Sequence, residues 1–115
     1  MSTWPEGVGR RVLPRTDSTM AEAARRADGG VAGPEWTLAL VQTDARGRRG
    51  RAWHMPAGNF AATLLMRPKD TAAEAAHRSF VAALALSEAF RAVGAAASDI
   101  ALKWPNDVLF RGGKI

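Results

Sequence analysis

Apolar residues along the chain fall into runs of strand length and two stretches of helical spacing. Val12 and Leu13 form a short extended piece running into Pro14. Asp17, Ser18 and Thr19 then predict a turn and a helix start, with Ser18 or Asp17 accepting from an unpaired first-turn amide. Residues 20–27 (MAEAARRA) favour helix, and Asp28-Gly29-Gly30 ends it with glycine at the cap. Gly33-Pro34 reads as loop. Residues 36–41 (WTLALV) are a nearly continuous apolar run of strand length. A second strand is expected over 59–67 (NFAATLLMR), after Pro56 and Gly58, and a turn over 68–70. Residues 71–93 read as one long helix. Phe80, Leu84 and Phe90, with Val81, Ala85 and Leu86 alongside, recur at helical spacing as a core stripe, and Gly94 stops it. A third strand over 100–104, a corner at Pro105-Asn106-Asp107 and a fourth strand over 108–110 follow. Gly112-Gly113 suits a two-residue hairpin turn that needs positive φ. Together these elements predict an α/β or α+β fold, a mixed sheet with flanking helices.

At 115 residues the chain fits one domain at most. Its last residues, LFRGGKI, open a hairpin arm that stops after two residues, which would leave the partner strand's ladder groups unpaired. The expectation is the front part of a larger domain. The net charge of +5 comes mostly from arginine, which favours encounter with anions without naming one. Cysteine is absent, which excludes disulfides, thiolate metal sites and a cysteine nucleophile, and fits an intracellular, cytoplasmic protein. No signal peptide or membrane span is evident: residues 80–90, the longest apolar-rich region, are interrupted by Ser87 and Glu88.

Candidate chemistry gathers in four patches. Residues 42–53, QTDARGRRGRAW, hold four arginines within six positions, with Gly47 and Gly50 between them. The glycines disfavour helix and strand, so a mobile loop is expected, with guanidinium forks converging on carboxylate or phosphate. The plain alternative is a solvated basic loop or a nucleic-acid patch. Asp17-Ser18-Thr19 offers amides and hydroxyls that could hold a small polar ligand, or is an ordinary helix cap. In KWPND, residues 103–107, Asn106 can donate and accept at a nucleotide, and Asp107 can ligate Mg²⁺ or hold an arginine. The alternative is an Asx-type turn. Lys114, in GGK, puts an ammonium on a hairpin, where lysine is usually solvated.

With these patches in this order the chain resembles the biotin protein ligases, over essentially its whole length. DSTM (17–20), QTDARGRRGRAW, KWPNDV (103–108) and GGKI (112–115) carry the resemblance. It implies a fold related to the class II aminoacyl-tRNA synthetases, and residues 1–115 as the N-terminal portion of the catalytic domain. The remainder of that domain and a small C-terminal barrel would lie outside this sequence, and the 115 residues alone would have little or no ligase activity. It also implies a two-step reaction. Biotin and ATP form biotinyl-5′-AMP and pyrophosphate, and biotin then passes to a lysine of the biotin carboxyl carrier protein of acetyl-CoA carboxylase. ATP and Mg²⁺ are implied, and neither DNA nor membrane, since no winged helix precedes the motifs.

By the same resemblance, Ser18, Thr19, Met20, Gln42, Arg46, Gly47, Arg48 and Lys114 would surround biotin. Arg48, Arg49, Arg51, Trp53, Asn106 and Asp107 would serve ATP and the adenylate, Asp107 reaching its magnesium. Arg48 and Lys114 would be the catalytic groups. Two positions depart from the family pattern. Ala45 stands where a glycine usually precedes the first loop arginine, adding about 1–2 kcal/mol of strain if φ there is positive. Met20 replaces the asparagine of DSTN. The alternatives are a lipoate or octanoate ligase or transferase of the same fold, a catalytically silent relative, and, in a different class, a nucleic-acid-binding module.

Overall fold

A computed structural model describes residues 4–53, 55–104 and 106–115. The chain divides into two compact units, Met1–Arg67 and Pro68–Ile115.

In the first unit, β1 (Gly9–Leu13), α1 (Thr19–Asp28) and β2 (Glu35–Ala39) form a β–α–β unit in which β1 and β2 pair in parallel. β3 (Ala61–Leu65) adds antiparallel to β2, giving a mixed three-stranded sheet in the order β1-β2-β3. Thr37 and Ala39 of β2 and Ala61 of β3 are buried, as is Ala23 of α1. α1 packs on β2 and β3, so the alternation of the strands buries their odd-numbered side chains beneath it. β1 is longer than its two apolar residues suggested. Gly9 pairs with Glu35, and a Cβ there would lie 3.2 Å from Glu35 Cγ, so the absence of a side chain suits the close approach.

In the second unit the long helix predicted over 71–93 is two. α2 (Ala72–Ala76) and α3 (Arg78–Ala92) meet at His77, whose amide donates to Glu74 O, three residues back, and interrupts the regular spacing. Gly94, at φ 111, follows α3. The expected stripe also shifts. Val81 and Leu84 are exposed, whereas Ala83 and Ser87 are buried and Phe80, Leu86 and Phe90 are half-buried. Small side chains at 83 and 87 let the helix backbone come close to the neighbouring strands, and Ser87 satisfies its hydroxyl on Leu84 O at 2.7 Å. Antiparallel β4 (Ile100–Lys103), β5 (Asp107–Phe110) and β6 (Gly113–Lys114) form the second sheet, with Val108 at its centre, 1% exposed. The tight turn falls one residue earlier than Gly112-Gly113. Phe110 pairs with Gly113, and the central residues are Arg111 (φ 51) and Gly112 (φ 83). Pairing continues past β6, where the Ile115 amide donates to Val108 O at 3.1 Å. Pro105 of the predicted corner lies outside the described residues. Among the described residues no helix is long and apolar enough to cross a membrane.

Candidate functional site

Parallel pairing puts the loops that follow β1 and β2 at the same end of the sheet, the end where α/β folds commonly bind ligands. The Asp17–Thr19 motif follows β1 and Gln42 follows β2, and the strand pairing runs on between them. The Thr16 amide donates to Val41 O at 3.1 Å, Thr43 N to Thr16 O at 2.9 Å and Asp44 N to Asp17 O at 2.8 Å.

Ser18 caps α1 in extended geometry (φ −154°, ψ 151°), its Oγ accepting from Ala21 N at 3.0 Å, and its hydroxyl proton stays available as a donor. Thr19 is buried, 4% exposed. Its amide donates to Gln42 Oε1 at 2.8 Å and its hydroxyl shares a 2.8 Å hydrogen bond with Thr63 Oγ1 of β3. With its carbonyl oxygen committed to Thr19, Gln42 has its amide hydrogens to offer. Ser18, Thr19 and Gln42 are thus brought together as expected. Met20, the next residue of α1, is 73% exposed. Thr63 was not anticipated; its only sequence signal is a hydroxyl at an inward position of an otherwise apolar run.

Asp17 also lies in the motif, but as a scaffold. Its carboxylate accepts from Ser18 N, Thr16 Oγ1 and both terminal nitrogens of Arg25. Those bonds, led by the Arg25 guanidinium, hold its pKa well below the usual carboxylate range. Arg25 and then Arg11 likewise lower Glu22, and Arg26 lowers Glu35.

The arginine-rich segment is a folded turn. Arg46 and Ala52 form an antiparallel bridge, Gly47 N donates to Arg51 O at 2.6 Å, and Trp53 N donates to Ala45 O at 2.9 Å. A 3₁₀ turn, Arg48–Gly50, closes it, with Arg49 at φ 59 and Gly50 at φ 73. The side chain of Arg48 lies outside the described residues. Arg46 meets Asp44 at 2.7 Å and Gly50 O at 3.2 Å, while Arg49 and Arg51 are exposed. A Cβ on Gly47 would lie 3.7 Å from the Trp53 ring, so the indole covers this glycine. The strain expected at Ala45 does not arise: positive φ among the described non-glycine residues falls at Arg49 and Arg111. Ala45 is buried, so a side chain there packs.

In the second unit Asn106 is exposed, and Asp107, at the start of β5, faces Lys114 of β6 with Nζ 3.4 Å from Oδ1. Trp104 packs on Phe80 of α3, ring centroids 4.5 Å apart. Among the described residues no three histidine, aspartate or glutamate side chains converge on a possible metal position. With the Lys114 ammonium beside it, Asp107 makes a poor protein-made magnesium site among the described residues.

A model of the biotin/lipoate A/B protein ligase family matches residues 12–115. The chain belongs to that family. Within it, the chain is 56% identical over 104 residues to a biotin–[acetyl-CoA-carboxylase] ligase of Paracoccus denitrificans, covering 90% of this chain and 43% of that one. The biotin protein ligase of Aquifex aeolicus, solved with biotin and ATP, superposes with a TM-score of 0.78 at 31% identity, over 93% of this chain and 44% of that one. The Leishmania major enzyme with biotinyl-5-AMP gives 0.76 at 28%, over 97% and 50%. The chain therefore spans about half or less of these relatives, and its α+β architecture is that of biotin protein ligase catalytic domains within the family.

Proposed function

We propose that residues 1–115 form the N-terminal part of the catalytic domain of a biotin protein ligase. In this reading the protein joins biotin to ATP as biotinyl-5′-AMP and passes biotin to a lysine of the biotin carboxyl carrier protein of acetyl-CoA carboxylase. The observation that carries it is the joining of Ser18-Thr19 to Gln42 beside the arginine turn. Hydroxyl and amide donors suited to a ureido oxygen thereby lie next to a segment rich in phosphate-binding groups.

The chemistry asks for such an arrangement. The biotin carboxylate attacks the α-phosphorus of ATP, the α–β bridging P–O bond breaks and pyrophosphate leaves. The lysine amine of the carrier then attacks the acyl carbon, loses its proton to solvent or base, and AMP leaves. Both substrates of the first step are anions, so repulsion must be offset as charge builds on phosphorus. Preorganised cations supply that, each worth about 3–4 kcal/mol in the transition state. Ser18, Thr19 and Gln42 hold the bicyclic ring, with Met20 and Gly47 bordering it and Arg46 and Arg48 beside them. Arg48, Arg49 and Arg51 meet phosphate, Trp53 and Asn106 the nucleotide, and Lys114 the carboxylate and α-phosphate. Mg²⁺ would arrive with the triphosphate and would offset charge on the leaving pyrophosphate, with Asp107 the carboxylate nearest to hand for it.

Pyrophosphate release from the full-length protein with biotin and Mg·ATP tests this directly. Release must depend on biotin and be indifferent to lipoate. Turnover with lipoate in place of biotin would overturn the assignment, as would salt-sensitive binding to nucleic acid with no response to either vitamin.

A further inference from the structure

Arg25 sits two turns along α1, and its guanidinium reaches back over the start of the helix. Nη1 donates to Asp17 Oδ2 at 3.0 Å and Nη2 to Oδ1 at 2.8 Å. The same carboxylate accepts the Ser18 amide at 2.8 Å and the Thr16 hydroxyl at 3.0 Å. Four donors thus meet it, three on Oδ1 and one on Oδ2, so Asp17 is engaged by the protein itself. Nη2 of Arg25 also meets Glu22 Oε2 at 2.9 Å, and Glu22 Oε1 accepts from Arg11 of β1 at 3.2 Å. The result is a strut from strand to helix to turn.

Folding stability does not account for it. The Arg25 and Asp17 side chains are 53% and 43% exposed, and ion pairs so open to water contribute little. What a two-pronged contact fixes is direction. The segment whose direction it fixes is the one bearing Ser18 and Thr19.

We propose that Arg25 is a positioning residue of the biotin pocket: by gripping Asp17 with both nitrogens it holds Ser18 and Thr19 in the orientation that meets the ureido ring. The proposal rests on the biotin reading above. It assigns a binding effect to a residue that touches no substrate.

Arg25→Ala and Arg25→Lys in the full-length protein, compared with the unaltered parent, test it through three readings: KM for biotin, KM for ATP and hydrogen exchange of the Ser18 amide. Arg25→Ala is expected to raise the biotin KM about tenfold and quicken Ser18 exchange, with the ATP KM and thermal midpoint unmoved. Arg25→Lys, with charge but no fork, should fall between. If the parent uses biotin normally and Arg25→Ala leaves its biotin KM unchanged, the proposal alone is overturned. Parallel rises in both KM values with a lower midpoint would also overturn it, as a merely structural effect. A parent protein that ignores biotin would overturn the reading beneath it as well, whatever Ser18 exchange does.

Discussion

The two loops that leave the parallel strands are held in opposite ways. After β1, the Ser18-Thr19 turn is fixed by backbone bonds to residues 41–44, by a helix cap and by a hydroxyl pair inside the first unit. After β2, the arginine turn is closed by its own backbone, while its charged ends at Arg49 and Arg51 face water. A recognition element for a neutral ring gains from rigidity, because its donors must be in place before the ligand arrives. A charge-offsetting element needs reach more than rigidity, since Coulombic attraction is tolerant of angle. One end of the sheet thus combines a rigid part and an adaptable part.

The largest expected break in this contrast is at Arg48. Arg48→Ala should slow pyrophosphate release roughly 10²–10³-fold without moving the thermal midpoint, because the turn closes through backbone atoms. An unchanged rate would remove the arginine turn from the chemistry.

Thr63→Val probes the rigid side. It strands the buried Thr19 hydroxyl and should cost about 1–3 kcal/mol in urea unfolding. Adding Thr19→Val should restore most of that stability while biotin affinity stays low, because two apolar partners leave nothing unpaired. A double variant as unstable as the sum of the singles would show that the hydroxyls do not pair.

A smaller effect comes from restoring the family's glycine. Ala45→Gly should destabilise by about 0.4–1 kcal/mol through the looser unfolded chain, since Ala45 has no left-handed strain to relieve. A gain in stability would mean that position 45 is strained after all.

The gentlest probe is acid. The folded-state pKa values of Asp17, Glu22 and Glu35 lie below their ordinary values near 4, so the unfolded chain takes up their protons first as pH falls. Their contribution is complete above that range and declines as pH drops through the folded values. The urea midpoint should therefore be level from about pH 7 to 5 and fall below about pH 4. Arg26→Ala should flatten the part of the decline that belongs to Glu35, and a profile identical to the parent's would deny that pairing.

Much of this was legible from residue order. The Ser18 cap, the WTLALV strand and the hairpins follow from local preference. The break at His77 was not, because Ala72–Ala76 and the residues after it all favour helix and no glycine or proline marks a change. The α3 stripe shifts because apolar size marks Val81 and Leu84, whereas close packing selects Ala83 and Ser87. The hairpin turn moved by one because Arg111 itself adopts positive φ, a conformation expected of glycine. At the candidate site the motifs named the polar groups, but not their partners. Thr63 and Arg25 reach Thr19 and Asp17 through tertiary register and helix phase, which spacing along one segment does not encode.

The alignment of β1 with β2 works like a vernier. The separation of the two motifs along the chain is irrelevant to their meeting; only the rung on which Thr16 faces Gln42 matters. A slip of one rung would carry the Thr19 amide about 3.3 Å from the carboxamide it now addresses, and would turn every side chain of the strand to the opposite face. Ligand geometry at that end is therefore inherited from a ladder of backbone bonds, and a substitution that loosens the ladder could blunt recognition without touching any group that meets the ligand.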